Sequence, residues 1–484
     1  MANTVYEQFS SIFMNGLWVS GAQVSESEII DPGTEQSLGV VSMTSSKNVE
    51  DVISSAQKAF GIWKHSSVYE RADALIRIAR AMEFRVAEAA KVITCETGKI
   101  LAQSEREWLS AIRQFRWYAA ECQRLYGRSY EAPWPNTRFD VFYDPVGVVA
   151  ALTPWNFPVS LIVRKIAPAI AAGCTIIVRP SEETPGSAMI IFDCIRESGL
   201  QPGVANLVVG HVHNTCSPLM LSSIIRKISF TGSTEVGRSI LRESSETLKK
   251  TTMELGGNAP VVVFDDVDLE GVLDMCVERK HVNAGQFCIA PDRFFIHENI
   301  YQKFVKGYVA RVKKLVLGHG LEQGVDMGPL KNRKRLAAAE GVIHDALSKG
   351  GKLQTGGKRP SSKQKGFFLE PTVITELNES ADAFSKENFS PISAIVQFSD
   401  IEDLCQRINA CDHALAAYIF GRDVAKVMKV VHTTDAGMVG INSFNISTSE
   451  VPFGGYKLSG IGREGGSEGI LEYCETRYTS SIWV

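Results

Sequence analysis

Apolar positions follow a helical period through the first part of this chain and a strand-and-helix alternation afterwards, with the change near Val146. Residues 49–63 carry Val52, Ile53, Ala56 and Phe60 on one side of a helix. Residues 69–94 repeat the spacing with Leu75, Ile78, Ala79, Met82 and Val86, and residues 104–125 do so again. These stripes predict packing faces, with solvated charges between them and no chemistry in the layer. A turn at Asp31-Pro32-Gly33 precedes them. Residues 130–143 break the pattern: Pro133 and Pro135 mark a loop, then Phe139, Val141 and Tyr143 alternate as a strand. A strand leaving a helical layer offers its edge to another chain.

From Val146 onward apolar strands and helices take turns. Residues 147–152 read as a buried strand, 160–172 as a helix, 174–178 as a strand, 187–198 as a helix, and 204–209 and 227–230 as strands. Continuous apolar strands between helices predict an α/β fold whose parallel sheet is covered on both faces. Beyond residue 252 the texture recurs. Residues 261–264, 294–297, 394–398 and 417–420 read as strands, 300–317 and 333–349 as helices, and the tail 471–484 alternates as a strand. In a parallel sheet ligands gather beyond the C-terminal strand ends. The residues there are Thr153-Pro154-Trp155-Asn156-Phe157-Pro158, Arg179-Pro180-Ser181-Glu182, and Thr231-Gly232-Ser233-Thr234-Glu235-Val236-Gly237, the last opening a helix.

Composition narrows the classes. At 484 residues the chain exceeds one ordinary core, and length suggests about three domains or subdomains. With 44% hydrophobic and 22% charged residues it should fold, and a net charge of −3 gives no electrostatic case for nucleic acid or anionic lipid. No basic-then-apolar leader opens it. The longest apolar region, 146–163, is broken by Pro154, Asn156 and Pro158, so no membrane span is expected. Ten cysteines without a CxxC pair or paired metal spacing predict reduced thiols in a cytoplasmic setting and no metal site.

Candidate chemistry begins at Asn283-Ala-Gly-Gln-Phe-Cys288-Ile-Ala290, which puts a lone cysteine past a glycine turn at the end of a helical run. Cys288 is either a nucleophile, which needs positive potential and access, or a small buried hydrophobe. The Gly232–Gly237 segment is not GxGxxG. It reads as a phosphate-binding helix start or as a plain cap. Glu182 reads as an acceptor for a ribose diol, which favours NAD, or as a solvated loop acid. Glu254, before Gly256-Gly257, is a general base raised by apolar surroundings or a turn acid. Asn156, between aromatics and prolines, donates to an oxyanion or braces a turn.

From about Trp18 onward the chain resembles the NAD(P)-dependent aldehyde dehydrogenase superfamily. The resemblance is carried in order by Thr153-Pro-Trp-Asn-Phe-Pro158, Phe230-Thr-Gly-Ser-Thr-Glu-Val-Gly237, Met253-Glu-Leu-Gly-Gly257, Gly285-Gln-Phe-Cys288 and Pro452-Phe-Gly-Gly-Tyr-Lys-Leu-Ser-Gly-Ile-Gly-Arg-Glu464. It implies two Rossmann-like α/β domains, cofactor-binding (1–121 and 142–251) and catalytic (252–466). A small β oligomerisation excursion (122–141 and 467–484) would make a homodimer or homotetramer, the tail pairing with the excursion of a neighbour. It also implies that Cys288 attacks an aldehyde and that Asn156 and the Cys288 N–H hold the oxyanion. Hydride then passes to the nicotinamide, and Glu254 activates water on the thioester. Lys165 would serve the cofactor and the proton path, with Glu464 behind it. Thr153, Pro154, Trp155, Gly232 and Ser233 would line the cofactor cleft, Ser233 on the pyrophosphate. Arg179, Ser181 and Glu182 would take the adenosine ribose, and Glu387 and Phe389 the nicotinamide riboside.

Two departures stand out. The family's usual lysine is Arg179 here, keeping charge but not geometry, so NAD is expected with NADP open. The usual glycine after Phe389 is Ser390. Within the superfamily, Leu161-Ile-Val-Arg164-Lys165 and the tail from Gly462 to Tyr473 look most similar to succinate-semialdehyde dehydrogenases. There Arg164 would bind a remote acid group, with Phe157, Val282 and Thr448 about the substrate. Those enzymes commonly place a second arginine where this chain has Val282, beside His281. The expected activity is therefore oxidation of an acid-bearing aldehyde such as succinate semialdehyde, with lactaldehyde or a sugar-derived aldehyde as the alternative. A CoA-acylating relative would lack Glu254, and a non-catalytic NAD-binding homologue would lose Cys288, Asn156 or Glu254; all three are present.

Overall fold

The apolar strands after Val146 pair in parallel. In the computed structural model, which describes residues 3–20, 25–363 and 365–483, Ala205–Val208, Thr175–Arg179, Val148–Leu152, Ile225–Thr231 and Lys250–Glu254 lie side by side in that order. The chain winds one way from Val148–Leu152 and then returns to wind the other way from Ile225–Thr231. That reversal opens a crevice at the C-terminal ends of these two strands, where Thr153 and Gly232 follow. Ile12–Met14 and Leu17–Val19 close one edge antiparallel, and Gly460–Ile461 closes the other against Met253 and Glu254. Both faces are covered, as uninterrupted apolar strands require. One side packs helices Val68–Glu83, Leu101–Glu121, Ser160–Ala172 and Pro185–Glu197, and the other Ser46–Trp63 and Thr234–Ser245.

A second sheet repeats the scheme in the order Lys352–Thr355, Thr372–Thr375, Ile392–Phe398, Pro291–His297, Ala259–Val263, Ala416–Phe420, Met438–Ile441, parallel except at the first pair. The chain crosses between sheets through Leu255-Gly256-Gly257-Asn258. The crossing therefore falls a few residues beyond 251, and Gly460–Ile461 returns to the first sheet. Gly257 has no alternative here, because a Cβ would stand 2.0 Å from the Cys288 carbonyl oxygen. The α/β class agrees with the sequence reading.

Two expectations need correction. The helix read over 69–94 is two, Val68–Glu83 and Val86–Thr97. The apolar period runs unchanged through the break, which is fixed by Arg85 bonding Glu88 and Asp193, each at 2.7 Å. The excursion is a hairpin, Arg128–Glu131 with Thr137–Pro145. The tail strand Cys474–Ile482 pairs with Thr137–Pro145 of its own chain, from Cys474 opposite Pro145 to Ile482 opposite Thr137. The Val146 N–H already donates to the Tyr473 carbonyl at 2.9 Å, so the tail starts in register beside its own hairpin. Val484, at the end of the predicted tail, lies outside the described residues. No helix among the described residues is long and apolar enough to cross a membrane.

Candidate active site

Cys288 follows a left-handed turn. Past helix Leu269–His281, Asn283, Ala284 and Gly285 take φ of 48°, 53° and 73°. Each non-glycine residue there costs about 1–2 kcal/mol, so neighbours must hold the turn. The Asn283 N–H donates to Gln103 Oε1 (3.0 Å), and its Nδ2 to the Asn156 carbonyl (3.1 Å). Gln286 Nε2 donates to the Asn283 carbonyl (3.0 Å), while its Oε1 accepts the Lys331 N–H (2.9 Å). A Cβ on Gly285 would lie 2.3 Å from the Ser390 carbonyl oxygen. The turn delivers Cys288, half-buried, to the wall of a cavity of about 430 Å³. Burial first, then the charges of Glu387 and Glu254, push its thiol up to about 12, and Arg164 opposes them.

Asn156 lies on the same wall. One N–H of its carboxamide donates to the Gln286 carbonyl at 3.1 Å, leaving the other free, and its Oδ1 has no partner among the described residues. Its loop is held by groups that periodicity assigned to solvated or packing roles. Lys99 is buried in an ion pair with Glu107, donates to the Asn156 carbonyl at 2.9 Å, and sits 3.9 Å over the Phe157 ring. Glu107 accepts the Val159 and Ser160 N–H groups at 2.9 and 3.1 Å, capping the helix that follows. The expectation of no chemistry in the helical layer therefore fails at Lys99, Gln103 and Glu107. Only their pairing across the fold shows the role, and no spacing in the sequence signals it.

One half of the cavity is bounded by Pro154, Trp155, Gly232, Ser233, Glu387 and Phe389. Trp155 and Phe389 meet edge-to-face at 5.8 Å. Ser233 caps helix Thr234–Ser245, whose first N–H groups open at the crevice. Burial pushes Glu387 up to about 7, although the Gly257 N–H donates to it at 3.0 Å. Thr153 Oγ1 is buried and unpartnered among the described residues. Arg179, Ser181 and Glu182 follow the adjacent strand and do not line the cavity. Arg179 pairs with Glu182 at 2.5 Å and donates to the Gly210 carbonyl at 2.9 Å. A helix start for phosphates, an aromatic pair and an acid for hydroxyls fit a dinucleotide lying across the switch point.

Glu254 ends its strand behind Leu255 and Gly256 and does not itself line the cavity. Both carboxyl oxygens lack partners among the described residues, and Oε1 lies 2.8 Å from where a Cβ of Gly454 would be. Burial first, then Glu464, raise it well above the usual carboxylate range against Lys165, Arg164 and Arg463. Lys165, fully buried, donates to Thr231 Oγ1 (2.8 Å) and Ser229 Oγ (3.2 Å) and pairs with Glu464.

On the far side stand Phe157, Arg164, Val282 and Phe453. Arg164 is 7% exposed, lies 4.3 Å over the Phe453 ring, and donates to Ser447 Oγ at 2.9 Å. The hydroxyl meeting it is thus Ser447, while Thr448 is exposed and outside the lining.

The aldehyde dehydrogenase family profile matches residues 18–479. The 3-sulfolactaldehyde dehydrogenase of Pseudomonas putida is 38% identical over 466 residues, 96% of each chain. The NADP(+) succinate-semialdehyde dehydrogenase of Escherichia coli is 36% identical over 465 residues, again 96% of each. A crystal structure of Staphylococcus aureus betaine aldehyde dehydrogenase in complex with NAD+ superposes with a TM-score of 0.96 at 31% identity, covering 99% of this chain and 97% of that one. Nearly the whole chain is matched in sequence and in fold, and it belongs to the aldehyde dehydrogenase family, enzymes that use NAD or NADP.

Proposed function

We propose that the chain oxidises an aldehyde bearing a remote acid group, with Cys288 as nucleophile and NAD preferred. The observation that carries the acid preference is Arg164, a buried guanidinium on the Cys288 cavity with no carboxylate partner among the described residues. Leaving such a charge unpaired is costly, and a substrate anion relieves it. Relatives named for succinate-semialdehyde and 3-sulfolactaldehyde support that class.

In this reading the Cys288 thiol gives its proton to solvent in the cavity, the thiolate adds to the aldehyde carbon, and the carbonyl electron pair moves to oxygen. The free Asn156 N–H and the Cys288 backbone N–H stabilise that oxyanion. Bound nicotinamide supplies the hydride acceptor. Loss of hydride from the thiohemiacetal leaves a thioester on Cys288. Glu254 then takes a proton from water, which adds to the thioester carbon, and the C–S bond breaks to return the thiolate. Lys165 and Glu464 carry the proton away from Glu254. Ser233 and the helix it caps hold the pyrophosphate, and Glu387 and Phe389 hold the nicotinamide riboside. The Arg179–Glu182 pair leaves a carboxylate oxygen free for the adenosine ribose diol, which supports NAD. Tyr130, Phe142, Tyr478 and Trp483, exposed on the hairpin and tail, support a homodimer or homotetramer.

The test is turnover of succinic, glutaric, lactic and sugar-derived aldehydes with each cofactor. Acidic aldehydes should give the highest kcat/KM, and Cys288→Ala should abolish turnover while NAD still binds. Residual oxidation by Cys288→Ala refutes the nucleophile, and preference for neutral aldehydes refutes the acid reading.

A further inference from the structure

Helix Leu269–His281 brings a second arginine to the cavity. Arg279 lies in the last turn of this helix, three residues before Val282, and both line the same space as Arg164, Phe287 and Cys288. Its guanidinium stacks 4.8 Å over Phe287, the residue before the nucleophile. That stacking, with a side-chain contact to the Tyr418 hydroxyl, fixes the direction of the side chain and leaves its Nε–H unused. Its Nε is buried with no partner, and no carboxylate lies within ion-pair distance of either Arg279 or Arg164 among the described residues. The other cations of the helix end are accounted for: Lys280 is buried against Asp292 at 2.6 Å, and burial lowers His281 to about 4, so it is neutral.

Two guanidiniums line one cavity, neither paired with a carboxylate among the described residues, and an anion between them would relieve their repulsion. We propose that Arg279 is the second contact for the substrate's remote acid group, acting with Arg164 as a clamp and taking the place left apolar by Val282. The inference rests on the acid-aldehyde reading above and adds to it the residue and the side of the cavity from which the second cation comes. Ser447, held at 2.9 Å by Arg164, adds a neutral donor on the same cavity. The chemical class is a short aldehyde ending in an oxyanion, carboxylate or sulfonate. A carboxylate offers two oxygens to the two forks and a sulfonate offers three, so both classes satisfy the clamp.

The experiment compares succinic semialdehyde, 3-sulfolactaldehyde and butanal in wild type, Arg279→Met, Arg279→Lys and Arg164→Met, with thermal melts as a folding control. Loss of a charge-assisted contact should lower kcat/KM for the acidic aldehydes about ten- to hundredfold more than for butanal in Arg279→Met, chiefly through KM. Arg279→Lys should recover part of that difference because it keeps the charge but loses the fork. Val282→Arg in the Arg279→Met background should restore acid preference from the neighbouring position. Equal losses on acidic and neutral substrates, or no loss, overturn the clamp. If Arg164→Met still separates acid from neutral while Arg279→Met does not, only Arg279 is wrong. If neither variant separates them, the acid-aldehyde reading falls with it. Loss on one acid and not the other assigns the clamp to that acid.

Discussion

A thiol pushed up to about 12 should be slow to alkylate, and the slowness can be worked out. At about pH 8 such a thiol is ionised to roughly one part in ten thousand, against about a quarter for an ordinary cysteine with a pKa of ~8.5. The fraction alone slows iodoacetamide by about two thousandfold. A more basic thiolate is the better nucleophile, and a Brønsted slope of ~0.45 returns about fortyfold of that. The net expectation is roughly fifty- to hundredfold slower alkylation than a free thiol, rising about tenfold per pH unit with no plateau below about pH 10. Glu387 and Glu254 both raise the thiol, so Glu387→Gln should speed alkylation. Glu387 titrates at about 7, so that effect should appear only above neutrality, where its carboxylate is charged. Arg164 lowers the thiol, so Arg164→Met should slow the reaction. The assay is mass-spectrometric labelling of Cys288 in the cofactor-free protein against pH. A plateau below about pH 9, or slower labelling in Glu387→Gln, refutes the electrostatic account.

Two further outcomes follow from the site. Glu254→Gln should preserve a burst of reduced cofactor while steady-state turnover drops about a hundredfold, as expected when only water activation is lost; disappearance of the burst would count against that division of labour. Gly285→Ala puts a Cβ 2.3 Å from the Ser390 carbonyl in a left-handed residue, so the turn must move and kcat should fall about a hundredfold with cofactor binding retained; an unchanged kcat would show that the turn does not set the thiol's position.

Much of this was legible in the chain because it is local. Apolar runs bounded by glycine and proline gave the parallel strands, and helix Ser160–Ala172 falls where its period predicted. The residues after each strand marked the crevice, since a parallel sheet leaves nowhere else for a ligand. What escaped is non-local. Lys99 and Glu107 read as solvated charges, yet they meet in a buried pair under Asn156, and only the fold brings that loop to them. The break at Phe84-Arg85 leaves the apolar period intact, so no pattern could show it. The tail's place beside its own hairpin escaped because alternation predicts a strand but not which edge it joins; the Val146–Tyr473 bond decides that. Ser447 rather than Thr448 meets Arg164 because the segment there is irregular and carries no period to say which hydroxyl faces inward.

The protonation of the resting site bears on why one arginine would not serve. Burial disfavours the charged forms of Cys288 and Glu254, while Arg164 and Arg279 on the cavity wall favour entry of an anionic aldehyde. Entry creates a conflict. Arg164 lowers the thiol, and an anion neutralising Arg164 would withdraw that help at the moment the thiolate is needed. Two guanidiniums around one monoanion resolve it, because a net positive charge remains beside Phe287 and Cys288 after the substrate is bound. A clamp of one cation would exchange affinity for reactivity. The second cation lets the acid group be held without cancelling all of the positive charge on the cavity wall.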